Sequence, residues 1–87
     1  MEIVYTKQSY QDYEKLKQYP ALVEKVKSLV ELLKVNPFQT PPKYEKLIGV
    51  RDTYSRRINV QHRLVYEVRK AENVVVIIRM WTHYEGR

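Results

Sequence analysis

The sequence has no cysteine at all. That excludes disulfides and thiolate metal sites, and it suits a reducing compartment such as the cytoplasm, the localisation expected here. Histidine is nearly as scarce. His62 and His83 are the only two, and no two ligand types gather at a metal-binding spacing, so neither a metal nor a cofactor is expected. Long hydrophobic runs are missing too. The longest, residues 74–78, is far too short to cross a bilayer. The opening MEIVYTKQ has no basic stretch ahead of an apolar one, so no signal peptide is expected. Repeats, low-complexity tracts and signs of a second domain are also absent, and residues 1–87 read as one small domain.

Acidic residues are in short supply. Ten Asp and Glu stand against sixteen Lys and Arg, a formal net charge of +6. Two readings are open for so small a domain. Its partner is a polyanion, for which nucleic acid is the usual case, or the charge serves solubility alone. The hydrophobic share, 44%, is enough for one core and not for two.

What is present follows a clear order. Residues 2–5 form a short strand candidate containing β-branched Ile3 and Val4. Thr6 can cap the helix that follows, since its hydroxyl can accept from an orphan amide. Tyr10, Tyr13 and Leu16 give that helix a modest apolar stripe. Pro20 ends it and suits the first turn of the next. In the second helix Leu22, Val26, Leu29 and Leu33 repeat at helical spacing, with Lys25, Lys27, Glu31 and Lys34 on the other side, and Asn36 before Pro37 stops it. Residues 36–43 hold three of the four prolines and make a stiff irregular loop. Glu45 comes next. It is either a carboxylate delivered to a site by that loop or one half of a solvated pair with Lys46.

Residues 54–59 and 62–68 alternate in side-chain character, with only Val60 and Gln61 between them, which predicts a tight β-hairpin. A polar turn at 70–73 leads to a Val/Ile-rich strand over 74–82. The predicted fold is α+β, with two N-terminal helices packed on one face of an antiparallel sheet.

Period-two alternation sorts the strands by face. Leu64, Tyr66 and Val68 fit beneath the helices, which sends Arg63 to the open face. Ile58 goes inward, with Ser55, Arg57 and Asn59 opposite. Burying Arg79 in an apolar core would be costly. The set containing Arg79, Trp81 and His83 is therefore assigned to the open face, and Val76, Ile78 and Met80 to the core. One surface then collects Arg57, Arg63, Arg79, Trp81 and His83. Guanidinium forks grip phosphate and aromatic rings stack on unpaired bases, so this surface points to RNA. The alternative is ordinary ion pairing with acids such as Glu67.

The chain resembles the YoeB/Txe branch of the RelE superfamily, toxins of bacterial type II toxin–antitoxin pairs. The resemblance is carried by NPF at residues 36–38, Glu45-x-Leu47, YSRRI at 54–58, HRLVY at 62–66 and the pair His83-Tyr84. It implies a RelE-like, microbial-ribonuclease-like fold with two helices on a twisted antiparallel sheet. It implies a ribosome-dependent mRNA endoribonuclease working in the A site. It also implies a YefM/Phd-like antitoxin that wraps the basic face, and it leaves a toxin homodimer open. Position by position, Glu45 matches the general base, Arg63 the phosphate-stabilising arginine, His83 the general acid and Tyr84 a substrate-orienting tyrosine. Arg57 matches a supporting arginine, and Arg56, Lys46, Arg79 and Trp81 complete the expected RNA-contacting set. Many relatives have a basic residue where this chain has Ile48, a charge that Lys46 can supply. The alternative to an enzyme is a module that grips RNA or ribosome without cutting.

Overall fold

The computed structural model describes residues 1–81. In chain order it contains β1 (Glu2–Tyr5), α1 (Lys7–Leu16), α2 (Pro20–Val35), β2 (Tyr44–Lys46), β3 (Thr53–Arg57), β4 (Arg63–Arg69) and β5 (Val74–Arg79), with a single 3-10 turn at Lys70–Glu72. The strands form one sheet in the order β1-β5-β4-β3-β2. All neighbours are antiparallel except β1 and β5, which run parallel. The sheet is antiparallel as expected, with one parallel pair added at that edge. A parallel pair needs a long crossover, and the chain between β1 and β5 provides it. Among the described residues no helix is long and apolar enough to cross a membrane.

The helix boundaries follow from local chemistry. Thr6 is extended (φ −75°, ψ 162°), and its Oγ1 accepts from Ser9 N at 3.1 Å, so the predicted cap forms. Pro20 occupies the first turn of α2, where a missing N–H costs nothing. Asn36 ends α2 in an extended conformation, and its Oδ1 accepts from Phe38 N at 3.0 Å. The buried residues of α2 are Val26, Leu29, Val30 and Leu33: three of the predicted stripe plus Val30, while Leu22 packs against the core partly buried. They pack on Leu64, Tyr66 and Val68 of β4 and on Val75 and Ile77 of β5, together with Leu16, Ile58 and Met80.

Two expectations fail, for one connected reason. In β5 the inward residues are Val75 and Ile77, not Val76 and Ile78. Tyr66 pairs with Ile77 while its neighbour Val65 pairs with Arg79, so Ile78 is an extra residue in a β-bulge. The bulge resets the alternation and returns Met80 to the core, as expected of that residue. In α1 the buried line is Ser9, Asp12 and Leu16, while Tyr10 is exposed. The helix is turned by the need to bury Asp12. Its carboxylate accepts from Arg79 Nε at 2.8 Å, Arg79 Nη2 at 3.4 Å, Met80 N at 3.0 Å and Gln8 Nε2 at 3.1 Å. Arg79 also donates to Trp81 O at 3.2 Å.

This ion pair fastens α1 to the end of β5 and gives a pH prediction. Burial pushes the Asp12 carboxyl up, but the hydrogen bonds from Arg79, Met80 and Gln8 outweigh it, and the net lies below the ordinary 3.8. A depressed carboxyl contributes stability above its unfolded-state pKa and loses it as pH falls through the folded-state value. Asp12→Ala also leaves the Met80 N–H buried without an acceptor, while the partly exposed Arg79 can rehydrate. The expected loss at neutral pH is about 2–3 kcal/mol. Urea unfolding at pH 7 and at pH 3 checks this: the gap between wild type and variant should narrow at the lower pH.

Candidate active site

The hairpin of β3 and β4 forms, but its connection is longer than the predicted two residues. Ile58 N and Asn59 N both donate to His62 O, at 2.9 and 3.2 Å. Asn59 Oδ1 accepts from Gln61 N and His62 N at 2.8 and 2.6 Å, so a side chain caps the loop over residues 58–62. Arg57 and Arg63 are the last paired residues and face each other directly. Residues directly opposite on an antiparallel pair share a face, and like charges there are destabilising.

Arg63 is the more enclosed of the two. Its side chain is 16% exposed; Nε donates to Ser55 Oγ at 3.0 Å and Nη2 to Glu45 Oε1 at 2.8 Å. Ser55 is fully buried, so the guanidinium is held from behind. Glu45 pairs in register with Ser55, and Ser55 with Val65, two residues from Arg63 and on the same face. The carboxylate is 54% exposed. Glu45 therefore sits on a short edge strand and not on the proline loop, which corrects how it is delivered. The solvated pair with Lys46 does not form among the described residues. Lys46 has the opposite parity and pairs with Tyr54, on the helix-facing side of the sheet.

The cluster is a poor source of stability. An ion pair with one half-exposed partner is worth at most about 1 kcal/mol. Two arginines facing each other take back a comparable amount. What it offers is chemistry: two guanidinium groups, one fixed in direction, beside a carboxylate open to solvent.

The rest of the expected RNA-contacting set scatters. Arg56 is fully buried on the other side of β3. Its Nε donates to Tyr66 Oη at 3.0 Å, Nη2 to Pro37 O at 2.9 Å and Nη1 to Pro42 O, and its guanidinium lies 5.1 Å from the Tyr44 ring centre. The reason is parity: placing Ile58 inward places Arg56 inward as well. Burial pushes the Tyr66 hydroxyl up, against a lowering pull from Arg56, so it stays protonated and can donate to Pro37 O at 3.3 Å. Arg79 is engaged with Asp12 and is not a free cation on the open face. Trp81 stacks on His62 (ring centres 4.0 Å apart) and on Tyr19 (5.9 Å). Ser55 and Asp12 are the residues that sequence reasoning missed. For Ser55 the signal lay in strand register. For Asp12 it was an acid at helical spacing from Ser9 and Leu16.

His83 and Tyr84 lie outside the described residues. The chain leading to them is nonetheless placed. β5 runs antiparallel to β4 with Arg79 opposite Val65, so it leaves the sheet at the Arg63 end of β4. Trp81, the last described residue, rests on His62, the neighbour of Arg63.

A two-helix layer on a five-stranded sheet is an architecture this chain shares with solved toxins of bacterial toxin–antitoxin pairs. The YoeB/ParE toxin from Agrobacterium tumefaciens is 35% identical, with a TM-score of 0.87, 97% of this chain and 100% of that one being covered. A chain of the YoeB-YefM complex from Staphylococcus aureus is 33% identical, with a TM-score of 0.81 and coverages of 97% and 98%. Toxin YoeB of Synechocystis sp. (strain ATCC 27184 / PCC 6803 / Kazusa) is 33% identical over 87 residues, 98% of this chain and 99% of the relative. Residues 5–84 match the sequence model of the YoeB-like toxin of bacterial type II toxin-antitoxin system. The chain belongs to this YoeB-like toxin family, as its motifs predict.

Proposed function

We propose that this toxin inhibits translation by cutting mRNA in the ribosomal A site, through attack of the substrate's own 2′-OH on the adjacent phosphorus. The observation that carries the reading is the 2.8 Å contact between Arg63 Nη2 and Glu45 Oε1, with Arg57 directly across from Arg63. A phosphodiester entering this cluster offers two non-bridging oxygens, sharing one negative charge, to guanidinium groups that already face one another. Arg63 then exchanges the carboxylate for phosphoryl oxygen, and the freed Glu45 takes the 2′-OH proton. Arg63 and Arg57 stabilise charge growing on the phosphoryl oxygens. His83 supplies a proton to the departing 5′ oxygen, and Tyr84 orients the substrate. The strand exit beside Arg63 supports the His83 assignment. Bonds and protons balance: a P–O bond forms to the 2′ oxygen, the bond to the 5′ oxygen breaks, and no water is consumed.

The net charge of +6 suits a ribosomal, polyanionic setting. The Staphylococcus aureus relative is found with YefM. By the same logic this toxin takes a YefM-like antitoxin, a disordered segment that folds over the basic face and blocks the Glu45–Arg63 cluster.

End-group analysis of a translated message tests the chemistry. The upstream fragment should carry a 2′,3′-cyclic phosphate and the downstream one a 5′-OH. A 2′-deoxy nucleotide at the cut position should abolish cleavage, and message without ribosomes should stay intact. A 5′-phosphate on the downstream fragment, or cleavage next to the deoxy nucleotide, would contradict the reading.

A further inference from the structure

We propose that Arg56 is a positioning residue: it locks the proline loop and β2 so that the Glu45 carboxylate stays in register with Arg63. The catalytic half of this inference rests on the reading of Glu45 as the base.

β2 is three residues long and lies at the sheet edge, so few backbone pairs hold it. Something else must fix it to the precision that proton transfer needs. Arg56 is the partner of Tyr44 in register, one residue from Glu45. Its guanidinium ties down the first and last prolines of the loop, through Pro37 O and Pro42 O, and lies over the Tyr44 ring. Tyr66 Oη holds the group from the β4 side. The Tyr44 ring packs in turn on Phe38, tilted, and edge-on to Tyr54, and Phe38 meets Tyr54 edge-on, with ring centres 5.2 to 5.9 Å apart.

The choice of residue is informative. Among the described residues no carboxylate pairs with Arg56; its partners are two carbonyls, a hydroxyl and a ring. Burying a charge is costly, and an apolar side chain of similar size would stabilise a core at least as well. What an apolar side chain cannot do is bind three acceptors at once in a fixed plane. A planar fork with several donors can.

The test combines amide hydrogen exchange of the free toxin with single-turnover cleavage of end-labelled mRNA on ribosomes. The variants are Arg56→Lys, Tyr66→Phe and Tyr44→Leu. For Arg56→Lys, exchange should rise over residues 37–46 while α2, β4 and β5 keep their protection. The cleavage rate at saturating ribosome should fall about 10²-fold, the scale of a misplacement near 1 Å, with the half-saturating ribosome concentration unchanged. Tyr66→Phe and Tyr44→Leu each remove one hold on Arg56, and should show the same local pattern with a loss of about tenfold or less. They carry the test if Arg56→Lys fails to fold. Unchanged protection over 44–46, or protection lost evenly across the sheet, would overturn the inference. If the wild type does not cleave mRNA, the nuclease reading fails, and exchange still decides whether Arg56 holds β2.

Discussion

Replacing Glu45 with glutamine is expected to slow cleavage of ribosome-bound mRNA by about 10²–10⁴-fold, the range for losing one general acid–base group. Glutamine keeps the length of the side chain, and its amide oxygen can still accept from Arg63 Nη2. The position is half-exposed on an edge strand, so the fold should not suffer. Ribosome binding should therefore survive while cutting does not, which separates an enzyme from a module that only grips RNA. Pull-down on ribosomes beside a single-turnover assay reads both quantities. Equal cutting by variant and wild type would remove Glu45 from the chemistry.

Arg63→Ala is the second large effect. Losing a preorganised donor to a developing oxyanion typically lowers kcat by about 10²–10³-fold. Production of the wild-type toxin without an antitoxin should stop growth, and Arg63→Ala should relieve it. Part of the change is structural. Ser55 Oγ is buried and would lose its donor, at about 1 kcal/mol of stability. A thermal melt must therefore accompany the assay. Arg63→Lys separates the parts further: it keeps the charge but cannot hold Ser55 and a phosphoryl oxygen in one plane. Its cleavage should stay well below wild type while most of the stability returns. Arg57 is exposed and directed from the same face, so Arg57→Ala should cost less than Arg63→Ala.

Much of this site could be read from the chain before any coordinates. The spacing of Leu22, Val26, Leu29 and Leu33 fixes a helix face because a helix has one period. Thr6, Pro20 and Asn36 set helix ends for local reasons that need no tertiary context. β4 alternates cleanly, so Arg63 could be sent outward and Tyr66 inward. β5 offers no such contrast. Residues 74–78 are all apolar, and a bulge that inserts Ile78 leaves no trace in such a run. Arg79 is assigned to the open face by its sequence for a different reason: its acid, Asp12, lies 67 residues away on a helix whose turn the sequence leaves ambiguous. Arg56 is a different case. Its inward parity was implied by Ile58, but a buried arginine runs against the usual cost of burying charge, and its two carbonyl partners belong to a loop without periodicity.

Glu45 and Arg63 meet although 18 residues separate them, because β2, β3 and β4 lie side by side in one register. Whether that meeting moves protons is decided most directly by the pH dependence of single-turnover cleavage for wild type, Glu45→Gln and His83→Gln on the same programmed ribosomes. The account predicts a bell for the wild type, with the acid limb lost in Glu45→Gln and the alkaline limb lost in His83→Gln. A wild-type rate that is flat from pH 5 to pH 9 on the same ribosomes, or a bell whose limbs survive both substitutions, would contradict it.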